Sequence, residues 1–301
     1  MSWIITGEQV NPAGDAQITY GITSTGGVFN LRSLGTVDYE VEWGDGTVER
    51  STSNVLAHTY AAGSYVLKIR TDQQYVPFFN NSGDEDQITS VALVSDLDVG
   101  STLERAWFGA NNITSFDAAF GVTAGVTNFF NTWRSCASLT SFPLIDVSSG
   151  TSFGFTWYNC ASLTSFPLID TSSGTNFQRA WQNCQSLTSF PLIDVSSGTS
   201  FNNAWRICTG LTTFPANFFD SWTGTPANNC FLNAWFGCTS LTATSVENIL
   251  NSIDTSLRSA PASGVDITIS YNAASGTPDI STAVSNLKSR GWTITLNGVL
   301  Q

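Results

Sequence analysis

Cations are scarce in this chain: among its 301 residues only Lys68 and Lys288 are lysines, nine arginines are scattered along it, and His58 is the single histidine. Charged residues make up 11% of the sequence, roughly half the usual share. From Ile113 to Leu241 there is no lysine, glutamate or histidine at all. That shortage removes the groups that general acid–base catalysis needs, and the sequence carries no nucleophile elbow, phosphate loop or HExxH motif. Without a basic stripe, and with a net charge of −12, the chain is not read as a nucleic-acid binder. No apolar run approaches 18 residues, so membrane insertion is not expected. The first residues, MSWIITGEQVNPAGDAQ, lack a charged n-region and a long apolar h-region and do not read as a signal peptide.

What is present is apolar, hydroxylic and repetitive. Ten tryptophans and twenty phenylalanines demand a sizeable core, and serine, threonine, asparagine and glycine supply the polarity that charges do not. A 24-residue block beginning at Cys136 returns at Cys160 and Cys184. A fixed period of this length is the signature of units that bury their apolar side only by stacking on neighbours. Cys136, Cys160, Cys184 and Cys208 recur at that period, with Cys238 after a longer unit and Cys230 outside the pattern. One cysteine per unit at one position predicts buried free thiols rather than a disulfide framework, and with no CxxC a zinc site is not expected.

Each clean unit opens on a strand-like segment such as Leu139–Phe142, and Leu139, Phe142 and Leu144 fit the LxxLxL pattern. Alternation there places Phe142 and Leu144 inside, with Pro143 and Ile145 outward. The second half of the unit carries Phe153, Trp157 and Cys160 at i, i+4 and i+7, and the same offsets recur from Phe129 to Cys238. This spacing predicts a short helix with the rings in the core, entered through a Ser-Ser-Gly-Thr turn.

Before the repeats, residues 18–72 alternate and turn like a β-sandwich, with strands expected at Gln17–Ile22, Val28–Ser33, Tyr39–Trp43, Val48–Arg50 and Tyr65–Arg70. Gly44-Asp45-Gly46 is a hairpin signal, and Asp45 reads as an Asx turn. His58 has no catalytic partner at any recognisable spacing and reads as packing. After the repeats, a helix opening at Thr244 or Ser245, a strand at Val265–Tyr271, a helix from Thr277-Pro278 and a last strand at Trp292–Leu296 are expected.

Trp43-Gly44-Asp45-Gly46-Thr47, with His58-Thr59-Tyr60, resembles the PKD-type, immunoglobulin-like domain. The motif C-x-S-L-T-S-F-P-L-I-D-x-S-S-G-T-x-F-x-x-x-W resembles BspA-type leucine-rich repeats, found in bacterial surface proteins and in proteins of marine phages. The two resemblances imply a mainly β fold with short helices: an N-terminal β-sandwich, then a leucine-rich-repeat solenoid with a helical C-terminal cap. The expected segments are an N-terminal attachment stretch over 1–17, the sandwich over 18–75, a linker over 76–87, the solenoid over 88–242 and the terminal repeats and cap over 243–301. The implied role is adhesive or structural, without catalytic residues or cofactors. The expectation is a phage virion surface protein, joined to other virion proteins through its N-terminal region and meeting a host-surface glycan or protein. A bacterial cell-surface adhesin is the alternative, and a homo-oligomer is left open.

Two features of the repeats carry the remaining site candidates. Asp146, Asp170 and Asp194 hold one position in successive units and are either calcium ligands or caps of their turns. The copies are otherwise nearly identical but diverge around the tryptophan, at Phe155 and Tyr158, then Gln178, Arg179 and Gln182, then Asn202, Asn203 and Arg206. Drift on an idle side and diversification of a recognition patch both explain that variation.

Overall fold

The computed structural model describes residues 18–301 except 72, 81, 94–96 and 119–120, so the expected attachment stretch over 1–17 lies outside the described residues. In chain order the elements are β1 (Ile18–Arg32), β2 (Tyr39–Glu42), β3 (Val48–Ser51), β4 (Val55–Arg70), β5 (Ile88–Leu93), β6 (Ser115–Ala118), α1 (Ala243–Thr255), β7 (Asp266–Ile269), α2 (Ser281–Ser289), β8 (Thr293–Leu296) and β9 (Val299–Leu300).

The first six strands make one sheet in the order β3-β2-β4-β1-β5-β6. β1 and β4 pair antiparallel along nearly their whole length, from Ile18 opposite Ile69 to Arg32 opposite Val55. The two strands expected at 17–22 and 28–33 are thus one long strand through Gly26-Gly27, whose positive φ values let the ribbon turn over without breaking. Period-two alternation buries Ile18, Tyr20 and Ile22, then Phe29 and Leu31.

The expected β-sandwich does not form. Among the described residues no second sheet covers the buried face; instead the segment around Tyr75 and Phe79 lies on it, with Tyr20 and Phe79 ring centroids 5.9 Å apart and Tyr39 and Tyr75 5.5 Å apart. Phe79 and Asn80 in turn donate their amides to Ala106 and Arg105 of the first repeat unit. With its apolar side covered this way, the sheet needs no second layer. β5 and β6 extend the sheet into the repeats by a parallel pairing, Ser90 opposite Ser115.

The leucine-rich-repeat solenoid is likewise corrected. The described residues form two sheets, neither closed, and two short helices. Between Ala118 and Ala243 no described residue belongs to a helix, and the only strand pairing is single bridges such as Ser141 with Ser165, Ser189 with Thr213, and the column Asn128, Ser152, Asn176, Ser200. Two local causes account for this.

The first is proline. Pro143, Pro167 and Pro191 lack the N–H a ladder needs, so pairing stops after one bridge. Ile169 and Ile193 then donate to the carbonyls of Pro167 and Pro191 two residues back, a γ-turn that reverses the side-chain alternation. Leu144 is therefore 60% exposed and Ile145 only 1%, the opposite of the expected arrangement.

The second cause is left-handed backbone. Within each Phe-to-Cys stretch, the third residue of two successive four-residue turns has positive φ: Asn131 and Ser135, Phe155 and Asn159, Arg179 and Asn183, Asn203 and Ile207. A right-handed helix cannot contain such residues. The turns close by bonds such as Thr156 to Phe153 and Cys160 to Trp157. The intervening amides, Phe153, Phe155, Trp157 and Asn159, donate to Asn176, Gln178, Ala180 and Gln182 of the next unit. Two consecutive turns also return the chain to one face every four residues, so the i, i+4, i+7 spacing buries its rings without a helix.

Three ring columns fill the interior. Successive tryptophans from Trp107 to Trp235 stack with centroids 5.2 to 5.9 Å apart. Phe129, Phe153, Phe177 and Phe201 follow at 5.4 to 5.5 Å, and Phe116, Phe142, Phe166 and Phe190 at 5.7 to 6.2 Å. Each fully buried tryptophan contributes on the order of 2–3 kcal/mol by area. On the outside, threonine hydroxyls bond the preceding unit, as Thr151 to Thr127 at 3.2 Å and Thr175 to Thr151 at 3.1 Å, which is why a surface so poor in charge is solvated by hydroxyls.

At the C-terminus Thr242 caps α1, accepting the Ser245 amide at 3.2 Å, two or three residues before the expected opening. α1 lies on the last coils, where Ser245 accepts the Phe214 amide at 3.1 Å. β7 and β8 pair in parallel with α2 between them, and β9 adds antiparallel to β8. No helix among the described residues is long and apolar enough to cross a membrane.

Candidate functional site

The turn geometry that replaces the expected helices determines what this protein presents outward. In each Phe-to-Cys stretch, the residue two before the tryptophan sits in the left-handed conformation and the residue one after it follows on the same outer side. The first column therefore reads Arg105, Asn131, Phe155, Arg179, Asn203, Asn233, and the second Phe108, Arg134, Tyr158, Gln182, Arg206, Phe236. Four of the nine arginines fall in these two columns.

The guanidiniums lie over aromatic rings. That of Arg134 lies 4.8 Å from the centroid of Phe108, 4.9 Å from Tyr158 and 5.2 Å from Phe155. Arg179 also lies over Phe155 at 5.2 Å, and Arg206 lies over Phe236 at 5.5 Å. Each contact is worth about 0.5–1 kcal/mol at a partly exposed site and fixes the orientation of the plane. Arg105 pairs with Glu104 at 3.6 Å, whereas Arg134, Arg179 and Arg206 have no carboxylate partner among the described residues. Arg134 Nη1 donates to Asn131 Oδ1 at 3.2 Å. The side chains of Arg179 and Arg206 make no hydrogen bond among the described residues, and the Nε atoms of Arg134, Arg179 and Arg206 are buried without a hydrogen-bond partner. Burial lowers the pKa of Arg134, and the Arg179 and Arg105 charges push the same way against Tyr158, but a guanidinium stays charged at any working pH.

Of the positions singled out by internal divergence, Phe155, Tyr158, Arg179 and Arg206 belong to this face and are half-buried. Gln178 and Asn202 flank it and are also half-buried. Gln182 and Asn203 lie in its columns but are only 7% and 4% exposed, so their main contribution is to packing. Sequence comparison of the three cleanest copies passed over Arg105, Phe108, Arg134 and Phe236, which occupy the same columns in imperfect units. Aligning every unit on its tryptophan would have found them.

The other candidates have structural employment. Asp146 Oδ1 accepts the Ser148 amide at 3.0 Å, Asp170 the Ser172 amide at 3.0 Å and Asp194 the Ser196 amide at 2.8 Å, each forming an Asx turn. No cluster of three His, Cys, Asp or Glu that could hold a metal occurs among the described residues. His58, expected to lack a partner, has one: its Nε2 is 2.7 Å from Asp45 Oδ2, and its ring stacks on Trp43 at 4.4 Å. The hairpin brings Asp45 there. The carboxylate is held down at about 2, chiefly by the Thr47 hydroxyl, then the Thr47 amide, with His58 adding to both.

All six cysteines are free and buried. Cys160 Sγ donates to the Trp133 carbonyl at 3.2 Å, Cys184 to Trp157 at 3.2 Å and Cys208 to Trp181 at 3.1 Å, so each thiol ties its unit to the one before. Burial pushes the thiols of Cys160, Cys208 and Cys230 up to about 12, far from nucleophilic at neutral pH. Two open depressions of about 550 and 520 Å³, one beside Leu257 and Arg258 and the other beside Thr23 and Asp86, bring no acid–base pair together. No family model, curated protein or solved structure matches this chain.

Proposed function

We propose that this protein is a non-enzymatic attachment protein of a phage particle, presenting the arginine–aromatic face of its repeats to the host-cell surface. The observation that carries the binding role is the face itself. Arg134, Arg179 and Arg206 lie over Phe108, Phe155, Tyr158 and Phe236 and have no carboxylate partner among the described residues. Guanidiniums ordered by stacking lose little entropy when they meet a partner, which favours recognition. The employment of the other reactive groups favours binding over catalysis: thiols tie units together, aspartates close turns, and His58 is engaged by Asp45 and Trp43. The particle setting rests on the resemblance of the repeat motif alone, with the N-terminal region assigned to attachment.

Two measurements test this reading. The chain is expected in purified particles, and an excess of the isolated protein is expected to compete with adsorption to host cells. Particles that lack it, with the protein retained on a bacterial wall, would favour the adhesin alternative. Absence of any cell binding removes the attachment role altogether.

A further inference from the structure

We infer that the partner of the arginine–aromatic face is an acidic polysaccharide, one bearing sulfate or carboxylate groups. This rests on the attachment reading and narrows it to a ligand class. The chain as a whole is strongly acidic, at −12, and repels polyanions at long range. Three unneutralised guanidiniums on one face of such a chain are a local exception. Each of those guanidiniums lies over at least one aromatic ring. Their Nε atoms are buried, so the Nη edges of Arg179 and Arg206 are the donors left for a partner. An edge of that shape matches the two oxygens of a carboxylate or sulfate.

The remaining residues of the face match the rest of a sugar chain. Phe236 is 45% exposed and Tyr158 is partly so, offering apolar ring surface for the C–H face of a pyranose. Gln178 flanks the arginines with an amide suited to hydroxyls, whereas the Asn202 amide is already engaged by the Asn229 carbonyl and the Asn203 side chain. The period matters too. At about 4.8 Å per unit, Arg179 and Arg206, one unit apart, stand roughly 5 Å from one another along the stack, and Arg134, two units before Arg179, roughly 10 Å from it. A linear polysaccharide with one acid group per sugar or per disaccharide repeats over comparable lengths. A nucleic acid is a poorer fit, because three scattered cations fall short of the contacts that backbone-driven binding needs.

The full chain would be titrated by calorimetry with four probes: a sulfated galactan, polygalacturonate, neutral dextran and a single-stranded oligodeoxynucleotide. Expected is binding to one or both acidic polysaccharides that weakens as salt rises, with none to dextran. Arg179→Gln with Arg206→Gln should lower that affinity at least tenfold. Arg179→Lys with Arg206→Lys keeps the charge but loses the planar edge, and should retain the salt dependence at several-fold weaker affinity. Near-UV circular dichroism checks that each variant keeps its stacked core, and the lysine pair stands as the test if the glutamine pair does not fold.

Equal binding of dextran, tightest binding of the oligonucleotide, binding of none of the probes, or wild-type affinity in the arginine variants would each overturn the inference. The attachment reading survives those results if the protein still competes for adsorption. It falls separately if cells are not bound while the acidic polysaccharides are.

Discussion

Trp107, Trp133, Trp157, Trp181, Trp205 and Trp235 are buried with their indole N–H groups unpaired, a cost of roughly 1–3 kcal/mol apiece unless something compensates. The recurring neighbour is phenylalanine. Phe142, Phe166 and Phe190 stand nearly perpendicular to the indoles on either side, at 4.8 to 5.5 Å, an arrangement favourable for aromatic pairs. Trp157→Ala should destabilise by about 3–5 kcal/mol through the cavity it leaves, whereas Trp157→Phe, which discards the unpaired donor and keeps a stacking ring, should cost about half as much. Denaturant midpoints decide this, and equal costs would mean the N–H group is better satisfied than its geometry indicates. Gly174 belongs to the same ledger: a Cβ there would overlap the Phe177 ring and the Thr171 carbonyl. The thiols give a second check. With all six Sγ atoms buried, and those of Cys136, Cys160, Cys184, Cys208 and Cys238 donating to carbonyls, none of the six cysteines should react with a thiol reagent at pH 8 in the native protein, and all should do so after denaturation.

At the scale of elements, the paired four-residue turn is the unit that makes the repeats, and its weak point is Ile207. This β-branched residue holds a φ of 61°, where Asn159 and Asn183 stand in neighbouring units. Ile207→Asn should therefore leave stability unchanged or raise it by about 1 kcal/mol, read from the thermal midpoint. In the N-terminal sheet, the hairpin acid Asp45 has a folded pKa depressed to about 2. The stability it supplies is complete above its unfolded value near 3.9 and is lost as pH falls toward 2. Asp45→Asn should lower stability at pH 7 and flatten the acid-unfolding limb across that window. These two elements also mark what the sequence disclosed. The hairpin at Gly44-Asp45-Gly46, the extended segments around it and the burial of the tryptophans were legible, because they depend on turn chemistry and spacing. The helices of the repeats were misread because two successive turns share the i, i+4, i+7 spacing with a helix. The asparagines at 131, 159, 183, 203 and 233 were the overlooked sign of left-handed backbone. Proline in Pro143-Leu144-Ile145 was the sign that the strand would stop there, and the arginine–aromatic face became visible only once the turns fixed which residues share a side.

Among the described residues, a single apolar cluster runs from Ile18 in β1 to Leu296 in β8, and successive repeats are joined by backbone hydrogen bonds to their neighbours. Stability in such an arrangement is close to a sum over units and the contacts between them. Removing residues 160–183 takes out one 24-residue unit and joins Asn159 to Cys184, so every ring column, thiol and turn keeps its register. The shortened chain is expected to fold, with a denaturant m-value reduced in proportion to the surface lost and a modest fall in stability. Removing residues 160–171, half a unit, would instead set the proline segment of one unit against the tryptophan segment of the next, and this chain should not fold. The whole-unit deletion also removes Arg179 and brings Arg134 one step nearer Arg206. A face that recognises a periodic ligand should then bind more weakly while the fold persists. Intact folding with unchanged binding would show that neither Arg179 nor the spacing of the arginines takes part in recognition, and failure of the whole-unit deletion to fold would show that the units are not interchangeable.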